Sequence, residues 1–303
     1  MKEKLIDRFL YRAVVALFSF LGRLPRSMRD RLASSLGGLI FKLDRKHRRI
    51  AIQNLNLAFG EEKTPAEIFR IARQVFENLI RVVFEVGWSL SLPWDQFSKY
   101  IRVIGLEEYR QALAKGRGVL FLLAHFGNWE LLPIIGLLGQ IPVRTVYRKL
   151  DAPFLERFFK ENRCRYGGQV IATHRGAARD IYRELRKGFP VAMLMDQNVD
   201  WYDGVFVDFF GQRACTNKGM ALLAIKSQAP VVPVFLIRRP DGFDAVFGPE
   251  LPVIQTGDRT KDIEENSQLY NLVIETYARR YPEQWFWVHQ RWKTKPYQPW
   301  PRA

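Results

Sequence analysis

His125, Asn128 and Glu130 stand within Leu122-Leu123-Ala124-His125-Phe126-Gly127-Asn128-Trp129-Glu130, a stretch that sets a base and a carboxylate at close range on an apolar run. A carboxylate beside an imidazole accepts the proton of one ring nitrogen, fixes the tautomer and leaves the other nitrogen free to take a proton from a hydroxyl. Two elements must position such a pair. Residues 118–124 read Gly-Val-Leu-Phe-Leu-Leu-Ala, a continuously apolar segment of the kind that forms a strand buried on both faces. His125 then falls at its mouth, Gly127-Asn128 form a tight exit, and residues 129–138 start a packed helix that returns Glu130 to the imidazole. A histidine at a strand end is also commonly a structural, hydrogen-bonded one, and spacing alone leaves both readings open.

Composition bounds the partners. With 303 residues, 48% of them hydrophobic, the chain is long and apolar enough for a sizeable core. The formal net charge of +16 implies a partner of opposite sign: nucleic acid, an anionic membrane surface or an acidic carrier protein. Cys164 and Cys215 are far apart and in no metal-ligand spacing, which argues against a disulfide framework or a zinc site.

Residues 9–24 form an apolar run interrupted by Arg12 and closed by Arg23. Its uncharged core, residues 13–22, is about half of the ~20 residues that span a bilayer. A helix lying in the interface, with Lys2, Lys4, Arg8 and Arg12 at phosphate level, fits length and charge together. Pro25 opens a second helix over 26–43 whose Gly37-Gly38 permits close helix contact, followed by the basic cluster Lys42, Arg45, Lys46, Arg48 and Arg49. The expected division is 1–45, membrane-anchoring helices, and 46–303, the main domain. Thr64-Pro65-Ala66-Glu67 is a capping box with Pro at the first helical position, opening a helix to about Leu90.

From residue 101 onward, short apolar segments alternate with helical ones, which predicts an α/β fold with a mostly parallel central sheet covered by helices. The strands are expected at 119–124, 143–147, 170–172, 191–195 and 231–237. The helices between them are expected at 153–165, 175–187 and 217–228, the last with Thr216 as N-cap. Ligands in such sheets sit outside the strand ends, and His125, Arg148 and Asp196 each fall just past one. Asp196 closes a buried strand and so needs a partner, for which Arg148 is the obvious candidate.

His125-x-x-x-x-Glu130 resembles the acyltransferase signature His-x-x-x-x-Asp/Glu, and the rest of the chain resembles the late acyltransferases of lipid A biosynthesis. The blocks are Arg49 with Asn54, Leu55 and Phe59; Tyr147-Arg148; Asp196 with Gly204, then Val205-Phe206-Val207-Asp208-Phe209-Phe210-Gly211 and Ala214-Cys215-Thr216; Val231-Val232-Pro233; and Pro282-Glu283-Gln284-Trp285-Phe286-Trp287-Val288-His289-Gln290-Arg291. The spacing from Asp196 to Gly204 is longer than the family pattern, which bears on the shape of the acyl or acceptor pocket. Phe206, Phe209 and Phe210 are candidates for an acyl groove or plain core. Alternating Trp285, Trp287, His289 and Arg291 would put rings and cations on one face of an extended segment, suited to a membrane interface or an anionic headgroup.

The resemblance implies an enzyme that moves a fatty acyl chain from acyl carrier protein to a hydroxyl of a lipid A precursor at the cytoplasmic face of the bacterial inner membrane. It needs no metal or organic cofactor. His125 is the expected general base, oriented by Glu130, with Asn128, Arg148, Asp196 and Arg291 on the substrate side and backbone amides of 127–129 or Arg148 stabilising the oxyanion. The rival readings are acyl transfer to another glycolipid or phospholipid, a basic nucleic-acid-binding protein, and a metal-dependent hydrolase. No nucleic-acid motif is present to support the second, so nucleic acid is not an expected partner. The third would need ligands that His47, His174 and His289 are badly spaced to supply.

Overall fold

The computed structural model describes residues 2–296; side chains of residues 2–4, including Lys2 and Lys4, lie outside the described residues. Four helices come first: α1 (Lys2–Arg23), α2 (Arg26–Leu43), α3 (Arg45–Phe59) and α4 (Pro65–Ser91). The last begins at the expected capping box, in which the Thr64 hydroxyl accepts the Glu67 amide and the Glu67 carboxylate accepts the Thr64 amide. Helix α2 lies so close on α4 that a Cβ at Gly37 would stand 2.5 Å from the Glu77 Cα. Among the described residues no helix is long and apolar enough to cross a membrane.

The chain then alternates as its sequence predicts: α5 (Trp94–Phe97), β1 (Ile101–Ile104), α6 (Leu106–Ala114), β2 (Val119–Leu123), α7 (Ile135–Leu138), β3 (Arg144–Tyr147), α8 (Pro153–Cys164), β4 (Gln169–Ala172), α9 (Ala177–Arg186) and β5 (Pro190–Leu194). After these come β6 (Gly204–Phe209), β7 (Gln212–Asn217), α10 (Gly219–Ser227), β8 (Val231–Arg239), β9 (Gly242–Phe247) and α11 (Arg259–Arg280). Seven strands form one sheet in the order β1-β9-β8-β2-β5-β3-β4. All its pairs are parallel except β8–β9, an antiparallel hairpin that turns β1 and β9 against the rest.

Strand β2 sits in the middle and is buried along its whole length. Its side chains alternate between two cores, as period-2 geometry requires. Leu120 and Leu122 enter the layer formed with α3, α4 and α11. Val119, Phe121 and Leu123 enter the layer on the opposite face, which includes residues of α6 and α8.

Several expectations are corrected. Residues 129–138 form a 3₁₀ turn (Trp129–Ile134) followed by the short α7, because Pro133 lies inside the segment. Thr216 belongs to β7, and α10 starts after Lys218. The longer spacing after Asp196 leads into the β6–β7 hairpin, a separate two-stranded sheet packed on α11 through Asp208–Gln268 and Phe210–Glu275 hydrogen bonds. Phe209 and Phe210 are core residues against Trp285, Trp287, Trp292 and Phe59, not walls of an open groove.

Likewise, Trp285, Trp287 and Arg291 are fully buried. The C-terminal segment presents no face to a membrane there. Asn54 fastens it, donating from Nδ2 to the carbonyls of Trp287 (2.8 Å) and His289 (2.7 Å).

Candidate active site

The β2–β5 register pairs Leu123 with Leu194, and the chains stay side by side for two more residues. The Met195 amide donates to the Leu123 carbonyl (3.0 Å) and the His125 amide to Asp196 Oδ2 (2.9 Å). His125 Nδ1 lies 2.8 Å from Asp196 Oδ1, and Trp285 Nε1 donates to Oδ2 at 2.9 Å. Asp196 is 1% exposed. Burial pushes its carboxyl up, but the charge and hydrogen bonds of His125, with a smaller contribution from His289, outweigh this and leave it at about 2. An ionised carboxylate only accepts, so Nδ1 carries a proton, and in the neutral imidazole Nε2 is the nitrogen with the lone pair. The His125 side chain remains 18% exposed, flanked by the rings of Trp129 and Phe286 at 5.3 and 5.7 Å between centroids. The arrangement is a base held by an orienting carboxylate, with apolar rings that limit water.

Asp196 therefore takes the place at the imidazole expected of Glu130, and its partner is His125 rather than Arg148. Glu130 is held elsewhere: Arg163 donates to both its oxygens, at 3.1 Å from Nε and 2.7 Å from Nη2, and Asn162 Nδ2 donates to its carbonyl (3.1 Å). Glu130 thus fastens the 3₁₀ turn behind His125 to α8.

The turn itself is stitched from below. The Gly127 amide donates to the Gln284 carbonyl (2.9 Å), so it is not available to an oxyanion, and the Phe286 amide donates to the His125 carbonyl (3.0 Å). Gly127 has φ +58°, and a Cβ there would meet the Leu236 carbonyl oxygen of β8 at 1.9 Å. Neither the left-handed backbone nor a central strand gives way cheaply. Gly127→Ala is expected to destabilise the fold by roughly 3 kcal/mol; a urea unfolding curve shifted by less than about 0.5 kcal/mol would contradict this packing.

Asn128 is fully buried. Its Nδ2 donates to the Val82 carbonyl (3.2 Å) and Glu85 Oε2 (2.9 Å) of α4, so it braces the turn. Arg148 is exposed just beyond β3. Arg291 lies inside the core: it donates to the Cys215 carbonyl, Thr216 Oγ1 and Asn271 Oδ1 and stacks on Phe209. It ties the C-terminal segment to β7 and α11, and a substrate does not reach it. Burial lowers its guanidinium to about 10, against the raising effect of Asp196 and Cys215.

His289 stacks on Phe286 and meets Trp285 edge-on, donates from Nδ1 to the Phe286 carbonyl (2.7 Å), and leaves Nε2 buried without a partner. Burial lowers its pKa from 6.5 to about 4. Above pH 6.5 folded and unfolded states are both neutral at this residue. As pH falls from 6.5 toward 4 the unfolded chain takes a proton that the folded chain refuses, so stability declines, by about 3 kcal/mol in all. Urea titrations of the wild type between pH 7 and 4 are expected to show that decline, and His289→Gln to lose it; an unchanged slope in the variant would assign the acid sensitivity elsewhere.

Trp285, Arg163 and Gln284 were not legible as parts of the site. Each acts through a partner supplied by a distant segment, and only the density of aromatic and polar residues over 281–296 marked that segment out.

The family model for bacterial lipid A biosynthesis acyltransferases matches residues 3–294. The chain belongs to that family. Among its relatives, the lipid A biosynthesis lauroyltransferase of Escherichia coli K12 is 29% identical over 278 residues, 90% of this chain and 88% of the relative. The lipid A biosynthesis palmitoleoyltransferase of the same organism is 27% identical over 277 residues, 90% of this chain and 88% of the relative. The phosphatidylinositol mannoside acyltransferase of Mycolicibacterium smegmatis is 25% identical over 277 residues, 89% of this chain and 88% of the relative. The lipid A acyltransferase family membership makes this chain an acyltransferase acting on lipid A or a related glycolipid.

Proposed function

We propose that the protein transfers a fatty acyl chain from acyl carrier protein to a hydroxyl of a lipid A precursor, at the cytoplasmic face of the bacterial inner membrane. The observation that carries the chemistry is the His125–Asp196 pair, with Nδ1 held by an ionised carboxylate and Nε2 left as a base. Nε2 takes the proton of the acceptor hydroxyl, whose oxygen attacks the thioester carbonyl. The tetrahedral intermediate collapses with expulsion of the carrier thiolate, and the imidazolium returns its proton to that sulfur. Asp196 stabilises the imidazolium while it exists. A thioester is already activated, and Cys215 is buried with its thiol pushed up by burial, so no covalent enzyme intermediate enters. Arg148, exposed just past β3, would attract a phosphate of donor or acceptor by its charge.

The net charge of +16 suits an acidic carrier protein and an anionic lipid surface. The membrane reading is supported by Leu5, Ile6, Phe9, Leu17 and Phe20 of α1 and Leu36, Leu39, Ile40 and Leu43 of α2, all exposed. Exposed Arg8, Arg12, Arg23, Arg31 and Lys42 accompany them. The other face of α1 is packed: Tyr11 donates to Glu161 and Phe18 meets Phe158 of α8, so α1 joins the enzyme body to the lipid surface. The phosphatidylinositol mannoside acyltransferase relative favours a second reading, in which the acceptor is another glycolipid.

Mass spectrometry of lipid products after incubation with acyl-loaded carrier protein and a tetraacylated lipid A precursor tests the proposal. A mass gain of one acyl chain is expected. No gain over a series of chain lengths, with gain on a mannosylated phosphatidylinositol, would favour the second reading.

A further inference from the structure

Arg29 of α2 is 8% exposed and stacks on Trp88, 4.5 Å from the ring centroid, yet its Nε is buried with no hydrogen-bond partner. It lines a cavity of about 480 Å³ between α2, α4 and the β8–β9 turn. Four other arginines share that lining. Two are neutralised within the wall: Arg238 bonds Glu85 and Asn78, and Arg239 pairs with Asp244 and Asp241. Arg26 and Arg81 reach Asp30 only at 3.7 and 3.9 Å, beyond hydrogen bonding, and Arg81 reaches Glu77 at a similar 3.9 Å. Arg29 has Glu85 and Asp30 as its opposing charges but no hydrogen bond at Nε, and Glu283 also stands in the lining; five arginines thus face three carboxylates there, and Arg26, Arg29 and Arg81 keep donors to spare.

We propose that this cavity binds the phosphate monoester of a phosphorylated sugar, and that during acyl transfer it holds the phosphorylated headgroup of the glycolipid acceptor. The guanidinium fork matches a dianionic phosphate, whose oxygens accept from several donors at once. The volume is within the range of small-ligand sites. Position links the cavity to the chemistry. Two of its wall residues hold the catalytic turn: Glu85 accepts from Asn128 and the Gln284 carbonyl accepts the Gly127 amide, both at 2.9 Å. A headgroup fixed there is registered against the turn that carries His125. Only the identity of the phosphate's bearer rests on the acceptor assigned above.

Two arms test this. Calorimetric titration of the full chain with glucose 1-phosphate, beside glucose, reads the cavity without any acyl transfer. Binding of the phosphorylated sugar alone is expected, weakened about tenfold by Arg29→Gln and by Arg81→Gln; equal affinity in wild type and in the more exposed Arg81 variant, which tolerates substitution if Arg29→Gln fails to fold, would overturn the site. In steady-state assays both variants are expected to raise KM for a phosphorylated acceptor about tenfold and keep kcat within about twofold. They should leave KM for the acyl donor unchanged and lose nothing further on a dephosphorylated acceptor. A rise in donor KM instead would give the phosphate to the donor's phosphopantetheine and overturn the acceptor assignment. Failure to acylate any lipid acceptor would overturn the proposed function while the titration still decides the cavity.

Discussion

Asp196→Asn is expected to lower kcat for acyl transfer by about 10³–10⁴-fold. Asn presents a carbonyl oxygen that still accepts from the His125 amide and from Trp285, so the fold is retained. What changes is the group facing Nδ1. A neutral amide does not enforce a proton on that nitrogen as a buried carboxylate does, and an Nδ2 turned toward the ring donates to it, which moves the ring proton to Nε2, the position needed to accept from the acceptor. The imidazolium formed during transfer also loses its counter-charge at a site 1% exposed, where unscreened interactions are strong. A steady-state assay on the purified variant checks this. The expected signature is a fall in kcat and kcat/KM together, the mark of an interaction made in the transition state. A loss below tenfold would remove Asp196 from the mechanism.

His125→Ala removes the base itself, and the expected loss is about 10²–10⁴-fold in kcat, the usual worth of a positioned general base. The ring touches Trp129 and Phe286 but belongs to neither core layer, while its backbone keeps its bonds to Asp196 and Phe286. The thermal midpoint should fall, because the buried Asp196 carboxylate loses the ring that pairs with it, and calorimetry beside the assay separates lost chemistry from lost fold. Full activity in the variant would sink the assignment of His125.

Much of the positioning was readable from residue types. The apolar runs behind His125 and Asp196 are strands because each is short, rich in aliphatic residues and bounded by turns, and burial on both faces leaves no polar alternation to misread. The capping box at Thr64 is local chemistry and stands where the sequence puts it. The carboxylate at the imidazole was not readable, because it depends on strand order. Glu130 is near in sequence, but the 3₁₀ turn delivers it to Arg163, while Asp196, 71 residues away, arrives through the β2–β5 register.

Arg291 misled for a related reason. A cation between aromatics suggests an anionic surface, yet its partners, Cys215, Thr216 and Asn271, come from β7 and α11 and enclose it. The β8–β9 hairpin likewise hid in the sequence, since an antiparallel edge on a parallel sheet has no distinct residue pattern.

The measurement that bears most directly on the account is ¹⁵N NMR of ring-labelled histidine at pH 8, tractable because the chain contains four histidines. Asp196 held ionised beside Nδ1 predicts that His125 is the Nδ1–H tautomer, with Nε2 unprotonated, and that the tautomer reverses in Asp196→Asn. His125 found as the Nε2–H tautomer in the wild type would contradict the account, because the nitrogen facing the acceptor would then have no lone pair to receive a proton.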